Sequence, residues 1–296
     1  MGLGAAAQQP PKASGSEAPS TAERGISLAA KGQCKEALPI LKKAAAEVAR
    51  GDLRYNVLMS TARCAMSLEQ PEMTMRALLT LNREFPHDAQ VLYTTTHYYS
   101  EMATRAAQEL AATAPNSAEA QQLEAEAFES QGEWDKAAAE YARILEQNPK
   151  CSGIHYRLGR IALAKTPSDS ETAKKEFEEE LEIDPSNASA EFMLGETARQ
   201  AGQWDDAIAH FSRASKDDEG FQEAYLALGM SLNSAGKFSE AVTPLQTYVK
   251  MQPADPAGHY QLATAYARTG RKQDAEREMA LQRETAAKSP RTAPQP

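Results

Sequence analysis

Glutamates form the densest cluster of potentially reactive side chains in this 296-residue sequence. Five carboxylates fall within seven positions: Glu176, Glu178, Glu179, Glu180 and Glu182. On one helix these side chains point in all directions, whereas catalytic or metal-binding carboxylates must converge from different elements. We therefore predict that the run forms a solvated helix face.

Cysteine and histidine give no sign of a metal site or a nucleophile. Cys34, Cys64 and Cys151 show no Cys-x-x-Cys or Cys/His ligand spacing. The five histidines are scattered, and His155 and His259 lie at equivalent positions of a sequence repeat, which favours a packing role. The sequence contains no phosphate-binding loop, HExxH motif or nucleophile elbow. We predict no catalytic residue, metal or cofactor, and an enzyme is a distant alternative.

The elements that carry these residues repeat about every 34 positions. Alanines at 137, 173, 207, 241 and 275 are separated by 36, 34, 34 and 34 residues. Within the copy at 188–221, two runs with helical apolar spacing flank Gly202, which predicts two amphipathic helices and a tight turn. A period of this length is typical of a stacked-repeat solenoid.

The spacing L-G-x11-A-x3-F-x2-A resembles the tetratricopeptide (TPR) repeat. One copy matches through Leu194, Gly195, Trp204, Ala207, Phe211 and Ala214, and the next through Leu228, Gly229, Phe238, Ala241, Leu245 and Pro253. The resemblance implies an all-α fold, a right-handed α-solenoid of antiparallel helix pairs (a TPR superhelix), in a stand-alone bacterial protein. The predicted structural repeat positions are Trp134, Ala137, Gly159, Gly195, Trp204, Ala207, Gly229, Phe238, Ala241 and Ala275. We expect the two tryptophans to open second helices and to be wedged between helix pairs, so that Trp204→Ala costs roughly 3–5 kcal/mol.

The sequence divides into four segments. We predict a disordered leader (1–21), divergent TPR-like helices (22–115), a regular array of five repeats (116–284) and a disordered tail (285–296). Nothing between Ala89 and Ala114 breaks a helix, so we expect one nearly continuous helix there.

The N-terminal segment bears on localisation. The run Ala5-Ala6-Ala7 before Gln8 is similar to a small-residue cleavage pattern, without the charged start and apolar core of a signal peptide. Export is one reading and a cytoplasmic protein with a flexible leader is the other. In an exported protein, Cys34 and Cys64 could form a disulfide, because both fall at the same end of the predicted helix pairs.

Charge restricts the class of partner. Of the net charge of −9, residues 118–263 contribute 13 basic and 26 acidic side chains, a net −13. An acidic array repels phosphates, which disfavours nucleic acid and favours a basic or amphipathic protein segment. A solvated acidic face that keeps the array soluble is the main alternative. No apolar run is long enough to span a membrane.

The resemblance also implies a concave groove lined by the first helix of each pair. Its register predicts these groove residues: Tyr156, Arg160, Phe192, Glu196, Arg199, Leu226, Met230 and Tyr260. The Lys and Asn of the TPR clamp for chaperone C-termini are absent from the equivalent positions. We predict a non-enzymatic scaffold or adaptor that binds a protein segment in this groove. The alternative is a structural or accessory subunit whose array packs in an oligomer or fixed complex, and the oligomeric state is left open.

Overall fold

The computed structural model describes residues 20–165 and 168–288. Fifteen helices and no strand occur in these ranges, which confirms the all-α prediction. The helices are α1 (Thr21–Ala30), α2 (Cys34–Glu47), α3 (Asp52–Ser67), α4 (Pro71–Glu84), α5 (Ala89–Thr113), α6 (Ala118–Ser130), α7 (Trp134–Gln147), α8 (Ile154–Ala164), α9 (Ser170–Ile183), α10 (Ala188–Gln200), α11 (Trp204–Asp217), α12 (Gln222–Ser234), α13 (Phe238–Met251), α14 (Pro256–Arg268) and α15 (Lys272–Lys288). The described residues form two compact units, divided between Leu110 and Ala111.

In the second unit a glycine reverses the chain between the two helices of a pair. Gly202 follows α10 with a φ of +73°, a left-handed conformation that glycine adopts without strain. The Gln203 N–H then donates to the Ala198 carbonyl at 2.9 Å, which satisfies a carbonyl at the helix end. The second helix therefore begins at Trp204 and runs back along the first.

The two helices of a pair pack closely because a small residue lies where they cross. Gly195 of α10 faces the fully buried Phe211 of α11, and a Cβ at position 195 would lie 2.6 Å from that ring. Gly229 faces Leu245 in the same way, with a hypothetical Cβ only 2.4 Å from the leucine. The aromatic or leucine side chain thus occupies the space that a Cβ would need.

A disulfide and an ion pair link the helices of the first unit. Cys34 at the start of α2 is bonded to Cys64 of α3, with Cα atoms 4.9 Å apart. Arg54 of α3 forms a two-pronged ion pair with Glu84 of α4 at 2.7 and 2.9 Å and also donates to the carbonyl of Ala45 in α2. Through these bonds the Arg54 guanidinium connects α2, α3 and α4.

The α5 helix is continuous over 25 residues, as predicted from the absence of helix breakers. At about 1.5 Å per residue it is roughly 38 Å long. Only Val91 and Tyr98 of this helix are buried.

Three expectations need correction. The tryptophans Trp134 and Trp204 do open second helices, but both are half-buried rather than enclosed between pairs. We therefore expect truncation of Trp204 to cost less than the roughly 3–5 kcal/mol of a fully buried aromatic side chain. The last helix continues to Lys288, past the predicted end of the array at 284, so residues 285–288 belong to a helix and not to a tail. The first helix begins at Thr21, which the sequence placed in the leader. Ser20 caps the start of this helix, and the rest of the predicted leader and tail, residues 1–19 and 289–296, lies outside the described residues.

Candidate protein-binding surface

Four apolar residues of the predicted groove occupy one register position on successive first helices. They are Tyr156 of α8, Phe192 of α10, Leu226 of α12 and Tyr260 of α14, referred to below as the first-helix row. The first three are half-buried, whereas Tyr260 is 52% exposed. Each side chain of the row is therefore accessible to solvent in part.

The inner edges of Tyr156 and Phe192 pack against aromatic rings of the following second helix and, for Phe192, also against Phe221 at the start of α12. The Phe192 ring centroid lies 5.4 Å from that of Phe211 and 4.9 Å from that of Phe221. The Tyr156 ring lies 5.8 Å from Phe177 of α9. These contacts restrict the rotamers, so the exposed edges are held in place before any partner arrives.

Charged groups border the row. The exposed Arg160 places its guanidinium carbon 5.9 Å from the Tyr156 ring centroid. Arg199 donates two hydrogen bonds to Glu196, at 2.9 and 2.7 Å. This ion pair raises the pKa of Arg199, against the opposing effect of burial. Met230 lies four residues after Leu226 on α12, one turn along the same helix face, and is half-buried.

Glu180 was predicted to be solvated and is instead fully buried. Its carboxylate accepts hydrogen bonds from the backbone N–H of Gly153 at 2.7 Å and of Tyr156 at 3.3 Å, and from Asn187 Nδ2 at 3.1 Å. A carboxylate at a helix N-terminus satisfies unpaired N–H groups and interacts favourably with the helix dipole. Glu180 therefore fixes the start of α8, including the backbone of Tyr156.

His155 and His259 make contacts between the two helices of a pair, which agrees with the packing role inferred for them. His155 Nδ1 lies 2.7 Å from Glu176 across α8 and α9, and His259 Nδ1 lies 2.7 Å from Glu278 across α14 and α15. Glu176 is thus another member of the acidic run that is not simply solvated.

The pair α10 and α11 carries the same contact with the two residue types exchanged. Here Glu191 lies on the first helix, 2.6 Å from His210 Nδ1 and 2.6 Å from Arg213 Nε. Burial opposes ionisation of Glu191, but the bonds to His210 and Arg213 outweigh it, so the pKa of this carboxyl is below its usual value. Sequence reasoning missed this group, although comparison of the two helix columns would have shown His opposite Glu in three pairs.

The structure also contains a cleft of about 710 Å³ in the first unit, which the sequence did not predict. It lies over α3 between α2 and α4, with Leu58, Met73 and Ala77 among its lining residues and Lys42 and Arg76 at its sides. No three His, Cys, Asp or Glu side chains in residues 20–165 and 168–288 are placed to hold a metal ion.

Family models match most of the second unit. Residues 192–256 and 226–287 match the model described as Tetratricopeptide repeat, and residues 109–212 match the EMC2 TPR-like repeat domain. The array is built of tetratricopeptide repeats. This TPR array is a protein-interaction fold, with Tyr156, Phe192, Leu226 and Tyr260 on its first helices.

Individual relatives agree on the fold. The Small glutamine-rich tetratricopeptide repeat-containing protein 2 of Mycosarcoma maydis is 34% identical over 98 residues, which cover 31% of this chain and 26% of that protein. The chain thus spans about a quarter of this fungal relative, and a bacterial origin stays a prediction.

Solved structures of two other proteins have a similar fold. YrrB, a TPR protein with an unusual peptide-binding site, is 22% identical with a TM-score of 0.53 over 62% of this chain and 93% of its own. MamA is 19% identical with a TM-score of 0.52 over 60% and 98%. At these identities the likeness shows the fold. No helix in the described part of the chain has the length and apolarity needed to cross a membrane.

Proposed function

We propose that the TPR array is a non-enzymatic scaffold that binds an extended or helical segment of a partner protein along the first-helix row. The observation that supports this proposal is that the side chains of the row are partly exposed and that two of them are fixed by contacts with neighbouring aromatic rings. Each member presents an accessible edge, and Phe192 and Tyr156 are held by ring contacts to neighbouring helices. Rigid aromatic side chains of this kind supply most of the binding energy at protein interfaces.

The surroundings of the row determine the chemistry of the partner. Residues 118–263 carry a net charge of −13, which attracts a basic segment and repels nucleic acid. Apolar side chains of the partner would contact the row, and a carboxylate of the partner could pair with Arg160, which is exposed beside Tyr156. An amphipathic segment with a basic face satisfies both conditions.

One observation favours the alternative of a subunit packed in a fixed complex. Phe192 is enclosed by Phe211 and Phe221 and leaves only part of its ring for a partner. In that case the row mainly joins neighbouring helix pairs, and the acidic surface is a solvated exterior.

Selection of binding peptides distinguishes these two functions. A displayed library of random 15-mers is selected against the full chain, and the affinity of the recovered peptides is measured by calorimetry. We expect basic amphipathic sequences that also carry a carboxylate, whose binding weakens at least about 10-fold in Tyr260→Ala through loss of the aromatic contact and in Arg160→Ala through loss of the pairing with that carboxylate. Both side chains are exposed, so these substitutions should leave the helical content unchanged.

The matched control is Leu79→Ala, because Leu79 is 63% exposed and belongs to the first unit. It should not alter the affinity. Peptides that bind the Tyr260 and Arg160 variants as tightly as the wild type would rule out the first-helix row as the binding surface.

A further inference from the structure

The α5 helix has an exposed apolar face, whereas the equivalent face of the first helix is buried or half-buried in every regular helix pair. In α14 the register positions that face the second helix are His259, Ala263 and Tyr266, and each is at most 4% exposed beneath α15. The equivalent positions of α5 are Leu92, Thr96 and Tyr99. Leu92 is 45% exposed, Tyr99 is 41% exposed, and Thr96 is exposed as well.

The reason for this exposure lies in the course of the chain. After the position where a regular first helix ends, α5 continues without a turn to Thr113, so it has no second helix of its own. On its opposite side α5 contributes Val91 and Tyr98 to the core of the first unit, where they pack with Leu78 and Leu81. The α5 helix therefore packs against the preceding helix, as a first helix does, but it lacks the second helix that would complete its pair.

The exposed face continues along α5 as a regular stripe. Within the first unit it comprises Leu92, Thr96, Tyr99, Ala103, Ala106 and Leu110, of which the first five are exposed and Leu110 is half-buried. The spacing alternates between four and three residues, as in the seam of a coiled coil. None of the six stripe residues is charged. Glu101 and Arg105 lie off the stripe and form an ion pair with each other.

We propose that this stripe pairs with the same stripe of a second copy of the chain, with the two α5 helices antiparallel. The pattern of large and small residues supports a second copy, because it is complementary to its own reverse. About a two-fold axis at the level of residue 101, Tyr99 meets Ala103, Thr96 meets Ala106, and Leu92 meets Leu110 of the other copy. Each layer then combines a larger with a smaller residue or two leucines, and each helix provides the missing second helix of the other.

The geometry suits a closed dimer. An antiparallel pair with a two-fold axis uses the same surface on both copies and leaves no stripe free for further addition. From Leu92 to Leu110 the contact extends about 27 Å along the helix, which corresponds to more than two heptads. The seam lies in the first unit and the first-helix row in the second, so the dimer and the proposed binding function fail or survive independently.

Sedimentation velocity on the full chain tests the dimer. Over roughly a hundredfold range of protein concentration, we expect a species of twice the 32.1 kDa chain mass that dissociates on dilution. Ala103→Glu places carboxylates in the centre of the seam and should raise the dimer dissociation constant at least about 100-fold. Gln108→Glu adds the same charge to an exposed position off the stripe and should leave the constant unchanged.

Disulfide trapping reports the layers themselves and does not depend on Ala103→Glu folding normally. On a Cys151→Ser background, chains with Tyr99→Cys are mixed with chains with Ala103→Cys and oxidised. We expect the mixed 99–103 crosslink to form in preference to 99–99 and 103–103 crosslinks. A monomer at all concentrations, a dimer unaffected by Ala103→Glu, or preferential 99–99 crosslinking would each overturn the proposal.

Discussion

At the scale of single residues, three of the helix pairs depend on a glycine where the two helices cross, because a Cβ at Gly159, Gly195 or Gly229 would overlap the facing side chain. Alanine at a helix interior position usually stabilises a protein by about 1 kcal/mol relative to glycine. In Gly195→Ala the new Cβ would lie 2.6 Å from the Phe211 ring, so we expect destabilisation by about 1–3 kcal/mol instead. Urea unfolding measures the difference, with the exposed position Gln200→Ala as a control that changes stability by less than about 0.5 kcal/mol. An increase in stability for Gly195→Ala would show that the two helices are farther apart than described.

The buried carboxylate of Glu191 gives a prediction for pH dependence. Its pKa is lowered in the folded state from a usual value of 4.5, so its contribution to stability is complete above that value and is lost as pH falls through the lower folded pKa. At pH 7, Glu191→Gln should reduce the free energy of unfolding by about 2 kcal/mol, because two bonds to charged or polar donors lose their acceptor charge.

The difference in the free energy of unfolding between Glu191→Gln and the wild type should shrink as the solution is acidified, because the protonated wild type resembles the variant. Urea unfolding across the acidic range checks this, with the exposed Glu146→Gln as control. A difference that stays constant across the acidic range would mean that the pKa of Glu191 is the same in the folded and unfolded protein, so that the bonds to His210 and Arg213 do not lower it.

Residues of the repeat columns could be predicted from the sequence, whereas the burial of Glu180 could not. Ala207 and Ala241 recur with the period of the fold, and the fully buried positions share that period. Glu180 is one of several glutamates in a row, and nothing local distinguishes it from the exposed Glu178. Its role depends on backbone N–H groups at the start of α8, which become its neighbours only once the pair has formed.

At the scale of elements, the disulfide joins α2 to α3 across a sequence separation of 30 residues. Closing a loop of that size reduces the entropy of the unfolded chain, so reduction should destabilise the first unit by about 3–4 kcal/mol. Hydrogen exchange with and without reductant measures this, with faster exchange expected in α1–α3 and unchanged exchange in α10–α13. In the double variant Cys34→Ser and Cys64→Ser, reductant should have no effect. Equal exchange of the wild type in both conditions would contradict a stabilising crosslink.

The lengths of the helices were partly readable from the sequence. A continuous α5 followed from the absence of glycine and proline between Ala89 and Ala114. The end of α15 was not predicted, because the polar residues up to Lys288 lack apolar periodicity and the helix extends past its packed part. Similarly, Trp204 was expected to be enclosed because its position is aromatic in the family, yet the side chain is half-buried.

At the scale of the whole molecule, the chain combines a disulfide-linked first unit with a TPR array in the second. The first unit carries the exposed stripe of α5 and the second carries the first-helix row. A scaffold with these two surfaces could join two copies of one partner segment through a dimer. Each surface has its own variants, so the contribution of each to function can be separated.

Site-specific photo-crosslinking tests the proposed binding surface most directly. A benzophenone amino acid replaces Tyr260, which is 52% exposed in the row, or Leu79, which is 63% exposed on α4 in the first unit. Irradiation in the presence of a selected basic amphipathic peptide should yield a covalent adduct through position 260 and little or none through position 79. Excess unlabelled peptide should suppress that adduct. Equal crosslinking from both positions, or none from position 260 under conditions where calorimetry shows binding, would contradict a binding surface formed by the first helices of the TPR array.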